Sequence, residues 1–90
     1  MEIKILKQDK NKIEFEIEKE DHTLCNVLRD ELWNHKETEI SAYNIEHPLI
    51  SNPVMLVETN KANPKKIIIK AVGSLKIRLK DIKEEVNKKL

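Results

Sequence analysis

The sequence predicts an α+β domain in which two helices pack on one face of a four-stranded antiparallel sheet, in the order ββαββα. Three observations lead to this prediction. Two N-terminal segments alternate apolar and polar residues, a capped helical segment follows them, and a long C-terminal segment keeps helical spacing throughout. The chain has 90 residues, which is the size of one domain, and we expect residues 1–90 to form a single unit.

The first two strands are indicated by their alternation. Residues 2–7 alternate isoleucine with charged residues, and residues 12–18 alternate apolar residues with glutamates. A period of two is typical of a strand with one face in water, and the polar turn between the segments favours an antiparallel hairpin. The apolar positions are Ile3, Ile5, Ile13, Phe15 and Ile17.

A helix is expected to follow and to end near Lys36. Asp21 or Thr23 can cap it, because a side-chain oxygen at the cap accepts from the first free backbone N–H groups. Two further strands follow this helix. The first contains Ile40, Ala42, Tyr43 and Ile45 and is stopped by Pro48, and the second covers residues 53–59.

The last segment is predicted to be one long helix. Its apolar residues are spaced 4, 3, 4, 3 and 4 apart, which is a heptad pattern that continues on both sides of Gly73. Asn63 is a good N-cap and Pro64 a good first residue, so we expect a helix from about Pro64 to about Lys89. The alternative is a fifth strand ending at Gly73 followed by a short helix. The apolar positions are Ile68, Val72, Leu75, Leu79, Ile82 and Val86.

Such a helix is longer than the domain that should cover it. At a rise of 1.5 Å per residue it extends about 39 Å, whereas a compact domain of this size is about 31 Å across. An apolar row that continues past the body is expected to bind another protein. The alternative is that the sheet covers the whole row and the last turns fray.

Composition excludes several classes of function. The net charge of +1 argues against a protein that binds mainly phosphate, and the cations of the last helix alternate with no aromatic residues that could stack on bases, so we expect no direct nucleic-acid binding. The single cysteine allows no internal disulfide and favours a reducing compartment, so we expect a cytoplasmic protein. No apolar run reaches the roughly 18 residues of a membrane helix, so no membrane partner is expected.

The residues that could carry chemistry do not form a complete site. His22 and Cys25 have the spacing of two metal ligands, but a structural zinc site needs four. Cys25 lies among apolar residues, which is typical of a core cysteine. With one glycine, the chain has no phosphate-binding loop. We therefore expect no metal, no cofactor and no catalytic residue.

Two segments resemble a known family. The sequence "EDHTLCNVLRDEL" (20–32), followed by "AYNIEHPL" and an amphipathic C-terminal helix, is similar to the small alpha-like subunits of DNA-directed RNA polymerase, among them archaeal subunit L. Eukaryotic polymerases contain counterparts, and the N-terminal domain of the bacterial alpha subunit is a more distant relative. The resemblance covers nearly the whole chain. The family usually has a glycine where this chain has Cys25.

The resemblance implies a non-catalytic assembly subunit. Its domain would pair through both helices with a larger alpha-like subunit, the D polypeptide of archaeal polymerases, as a platform for the large catalytic subunits. The alternative is a free-standing homodimeric binding domain. The resemblance implies these partner-binding residues: Asp21, His22, Thr23, Leu24, Asn26, Leu28, Leu32, Leu75, Leu79, Ile82 and Val86. It also implies a second motif at the assembly surface, formed by Tyr43, His47 and Pro48.

Overall fold

The computed structural model describes residues 2–18, 22–44 and 52–90. It confirms the predicted ββαββα order, with two helices against a four-stranded antiparallel sheet. The elements are β1 (Glu2–Gln8), β2 (Lys12–Glu18), α1 (His22–Trp33), β3 (Thr38–Asn44), β4 (Val54–Thr59) and α2 (Pro64–Lys89).

The strands lie in the order β1-β2-β4-β3, and each neighbouring pair is antiparallel. β1 and β3 are therefore the two edges. One row of partners crosses the whole sheet, because Ile5 lies opposite Phe15, Phe15 opposite Met55, and Met55 opposite Tyr43. Side chains that lie opposite one another share a face of the sheet, so this row marks the face on which the helices pack.

The core lies between that face and the two helices. Strands β2 and β4 contribute every second residue to it, as the alternation of β2 predicted. α1 packs mainly on β3, whereas α2 contacts α1, β4 and β2. The buried apolar residues are Ile13, Phe15, Ile17, Cys25, Leu28, Leu32, Met55, Val57, Ile67 and Ala71.

The long C-terminal helix is confirmed and is continuous through Gly73. Asn63 caps it, since its side-chain oxygen accepts from the backbone N–H of Lys65 at 2.9 Å, and Pro64 is the first helical residue. The alternative of a fifth strand is therefore wrong. Among the described residues no helix is long and apolar enough to cross a membrane.

Two details of α1 differ from the expectation. The helix ends at Trp33 rather than near Lys36, because the next residues form a tight turn in which the Asn34 N–H bonds to the Glu31 carbonyl at 3.0 Å. Thr23 is not the cap, since it already lies inside the helix. The other candidate cap, Asp21, lies outside the described residues.

The face of α2 that the domain buries is also rotated from the heptad stripe. Ile67 and Ala71 are buried, Ile68 and Leu75 pack beside the core, and Val72 is largely exposed. The small Ala71 lets the helix approach its neighbours closely, and three consecutive isoleucines leave the rotation of the helix open in the sequence. The domain therefore uses only the first half of α2.

Candidate partner interface

The edge strand β1 is not covered by either helix. All seven of its residues are exposed, including Ile3 and Ile5, which face the helical side of the sheet opposite buried residues of β2. The helices lie over β2, β4 and β3, and this position leaves one side of the core open.

The uncovered side forms an apolar groove of about 410 Å³. Its floor comes from β1 and β2, and its walls come from α1 and the first turns of α2. Gln8 is its uncharged polar residue and Lys65 its charged one. The apolar lining consists of Ile3, Ile5, Ile13, Phe15, Ile17, Leu24, Leu28, Ile68 and Ile69.

The second half of α2 extends the apolar surface. Residues 76–90 are all exposed, and the molecule measures 44 Å along its longest axis. Leu79 is 65% exposed, Ile82 59% and Val86 47%. Since these residues lack a covering element in the described part of the chain, they form a distal apolar stripe on α2.

The residues of the first motif lie at the start of α1. Thr23 is exposed, Asn26 is half-buried, and Leu24 lines the groove. His22 is the first residue of the helix, and Asp21 lies outside the described residues. The structure thus places the part of this motif that it describes beside the apolar groove.

The deeper residues of α1 belong to the core. Leu28 is buried and also lines the groove, whereas Leu32 is fully buried and supports this surface from beneath. Cys25 is fully buried as well, which confirms that it occupies an apolar position inside the domain. On α2, Leu75 packs against the same core and is the boundary between the covered half and the distal apolar stripe.

Of the second motif, the structure describes Tyr43. Its ring packs beside the core, and the Arg29 guanidinium lies 5.2 Å from the ring centroid, within the range of a cation–π contact. Tyr43 thus links β3 to α1. His47 and Pro48 lie outside the described residues.

Polar contacts that the sequence did not predict fix α1 on β3. The Trp33 indole Nε1 donates to the Ser41 carbonyl at 3.0 Å, and the Ser41 hydroxyl donates to the Arg29 carbonyl at 3.1 Å. Glu31 is buried and holds α2 through Arg78. Its place three residues after Leu28, on the apolar side of the helix, was the available signal.

The described residues contain no group of three or more His, Cys, Asp or Glu side chains that could hold a metal ion. Their chemistry is that of a binding surface, because the exposed features around the groove are apolar side chains and lysines.

Comparisons with known proteins agree on one family. The model of the RNA polymerase Rpb3/Rpb11 dimerisation domain matches residues 12–85. The DNA-directed RNA polymerase subunit Rpo11 of Thermococcus sibiricus is 37% identical over 87 residues, covering 93% of this chain and 92% of the relative. Subunit RPB11 of RNA polymerase II from Schizosaccharomyces pombe is 38% identical over 68 residues, covering 74% of this chain and 55% of the relative.

A solved structure has the same fold. The crystal structure of DNA-directed RNA polymerase subunit L from Thermoplasma acidophilum superposes with a TM-score of 0.87 at 28% identity, covering 97% of this chain and 86% of that chain.

Proposed function

The chain belongs to the RNA polymerase Rpb3/Rpb11 dimerisation domain family, and we propose that it is the small alpha-like assembly subunit of a DNA-directed RNA polymerase. Its role is non-catalytic. It pairs with the larger alpha-like subunit, the D polypeptide of archaeal polymerases, and the heterodimer is the platform on which the large catalytic subunits assemble. The archaeal and eukaryotic relatives carry the names of polymerase subunits, which supports this role.

The observation that supports pairing best is the continuous apolar surface of the groove and the distal apolar stripe. Burying one side chain such as Ile82 contributes about 1.5–3 kcal/mol. A surface with many such side chains is typical of a protein whose partner completes its core. The exposed Ile3, Ile5, Leu79, Ile82 and Val86 therefore favour an extensive interface over a small contact.

In this proposal the partner-binding residues divide into two groups. Leu24 and Leu28 form part of the groove, and Leu79, Ile82 and Val86 contact the partner along α2. Leu32 and Leu75 support this surface from the core. We assign the remaining motif residues to contacts with the larger alpha-like subunit or the large catalytic subunits: Asp21, His22, Thr23, Asn26, Tyr43, His47 and Pro48.

The remaining parts of the proposal follow from the same role. Residues 1–90 act as one dimerisation unit in the cytoplasm, without a cofactor, and the protein makes no direct contact with nucleic acid. The net charge of +1 supports the last point.

Co-expression with the larger alpha-like subunit of the same organism tests the pairing. We expect the two chains to co-purify as a 1:1 heterodimer by size-exclusion chromatography with light scattering, and the small chain alone to be poorly soluble. A small chain that is well behaved alone as a homodimer, and that ignores the larger chain, would support the alternative of a free-standing binding domain.

A further inference from the structure

Cations are concentrated on α2. Residues 64–83 contain seven Lys and Arg residues and one Asp, although the whole chain has a net charge of +1. Among the described residues, Arg78 is the one of these seven that lies within salt-bridge distance of a carboxylate. The other six are exposed lysines that have no counter-ion in the described part of the chain.

Three of these lysines lie on the side of α2 that borders the apolar surface. At about 3.6 residues per turn, Lys65, Lys76 and Lys83 fall on one side of the helix, next to Val72 and Leu79. Lys65 is the charged residue that lines the groove. Lys76 and Lys83 continue the same row beside the distal apolar stripe, and we call these three residues the lysine row.

We propose that the partner segment covering the groove and the distal apolar stripe presents carboxylates to the lysine row. The partner element is thus an amphipathic one whose apolar stripe is flanked by Asp or Glu on the side that meets α2. This inference rests on the proposed function and specifies the chemistry of the partner's surface.

Desolvation is the physical reason. A segment that fills the groove removes water from the side of Lys65, and an ammonium group that loses water without gaining an anion opposes binding. A facing carboxylate offsets that loss. Carboxylates opposite Lys76 and Lys83 at the rim also attract the partner over a distance and fix the register of the two elements.

The same charges disfavour a second copy of this chain as the occupant. A symmetric pair that contacts through α2 places one lysine row close to the other, and like charges across an interface repel. The groove of a second copy offers no compensation, because none of its lining residues is a carboxylate.

A pair of double variants tests the inference. Lys76→Glu with Lys83→Glu reverses two charges of the lysine row, and Lys66→Glu with Lys70→Glu reverses two exposed charges on the other side of α2. We expect the first pair to raise the Kd for the purified larger alpha-like subunit by about tenfold or more, and the second to change it by less than about threefold. The wild-type Kd should also rise with NaCl concentration.

Other outcomes would overturn the inference. Equal Kd values for the two double variants, with wild-type binding insensitive to salt, would contradict it while leaving the proposed pairing intact. No binding by the wild type would contradict both. Circular dichroism checks that both variants fold. If the first variant lost only binding to a DNA duplex and kept its Kd for the larger alpha-like subunit, the lysine row would bind phosphate, and the inference would be wrong.

Discussion

The Arg78 guanidinium on α2 lies 3.1 Å from the Glu31 carboxylate on α1. Glu31 is only 2% exposed, and its other carboxylate oxygen accepts from the Asn34 side chain at 2.9 Å. The pair joins the two helices at the point where α2 leaves the body. A buried carboxylate that loses its cation is costly, so this contact fixes the direction of the distal half of α2.

We expect Arg78→Ala to destabilise the domain by about 1–3 kcal/mol, because it leaves a buried carboxylate oxygen without a partner. Urea unfolding followed by circular dichroism measures the loss. Adding Glu31→Gln to the variant should recover part of it, since the buried group is then neutral. Lys80→Ala removes an exposed cation of the same helix and should have little effect. Equal effects of Arg78→Ala and Lys80→Ala would show that the pair adds no stability.

Gly73 lies in the middle of α2 at a position that accepts a side chain. A Cβ atom built there has no neighbour within 4 Å, and the residue has no positive φ. Glycine in a helix interior costs about 0.5–1 kcal/mol relative to alanine. Gly73→Ala should therefore raise the free energy of unfolding by that amount and increase Tm by a few degrees in a thermal melt. A lower Tm would mean that α2 needs the flexibility of glycine at this turn.

The bounds of α2 could be predicted from the sequence because several local signals coincide. Asn63 and Pro64 define its start, and the heptad spacing is strong enough to continue through Gly73. The strand β2 was equally clear, since its glutamates and apolar residues alternate without exception. These features depend on neighbouring residues alone, so a single sequence contains them.

The features that were missed depend on distant residues. The strand order β1-β2-β4-β3 is set by which strands meet in three dimensions, and the hairpin pattern does not determine it. Likewise, the burial of Ile67 and Ala71 depends on the shape of the surface beneath α2. The groove follows from both, because β1 is left uncovered only when the helices lie on the other strands.

Zinc content tests the expectation that the protein holds no metal. Cys25 is buried in the core, and the described residues contain no cluster of metal-ligating side chains. We expect protein purified without chelator to contain far less than one zinc per chain by mass spectrometry of the metal. Stoichiometric zinc that disappears in Cys25→Ser would contradict this expectation.

Ile82 offers the sharpest test of the distal apolar stripe. It is 59% exposed and lies in the part of α2 that extends beyond the body. We expect Ile82→Asp to leave the fold of the isolated chain nearly unchanged and to weaken heterodimer formation strongly. The variant loses about 1.5–3 kcal/mol of apolar burial, and it also places an unpaired carboxylate in the interface.

Ile77→Asp is the matched control for that variant. Ile77 is 64% exposed on the same helix, but it lies on the opposite side from the distal apolar stripe, so the same substitution should leave co-purification with the larger alpha-like subunit unchanged. Co-purification and circular dichroism of each isolated variant separate the alternatives. If Ile82→Asp unfolds by itself, the distal apolar stripe belongs to the core of this chain. If it folds and assembles as well as Ile77→Asp, the partner binds a different surface, because an aspartate at the centre of an apolar contact cannot be neutral for binding.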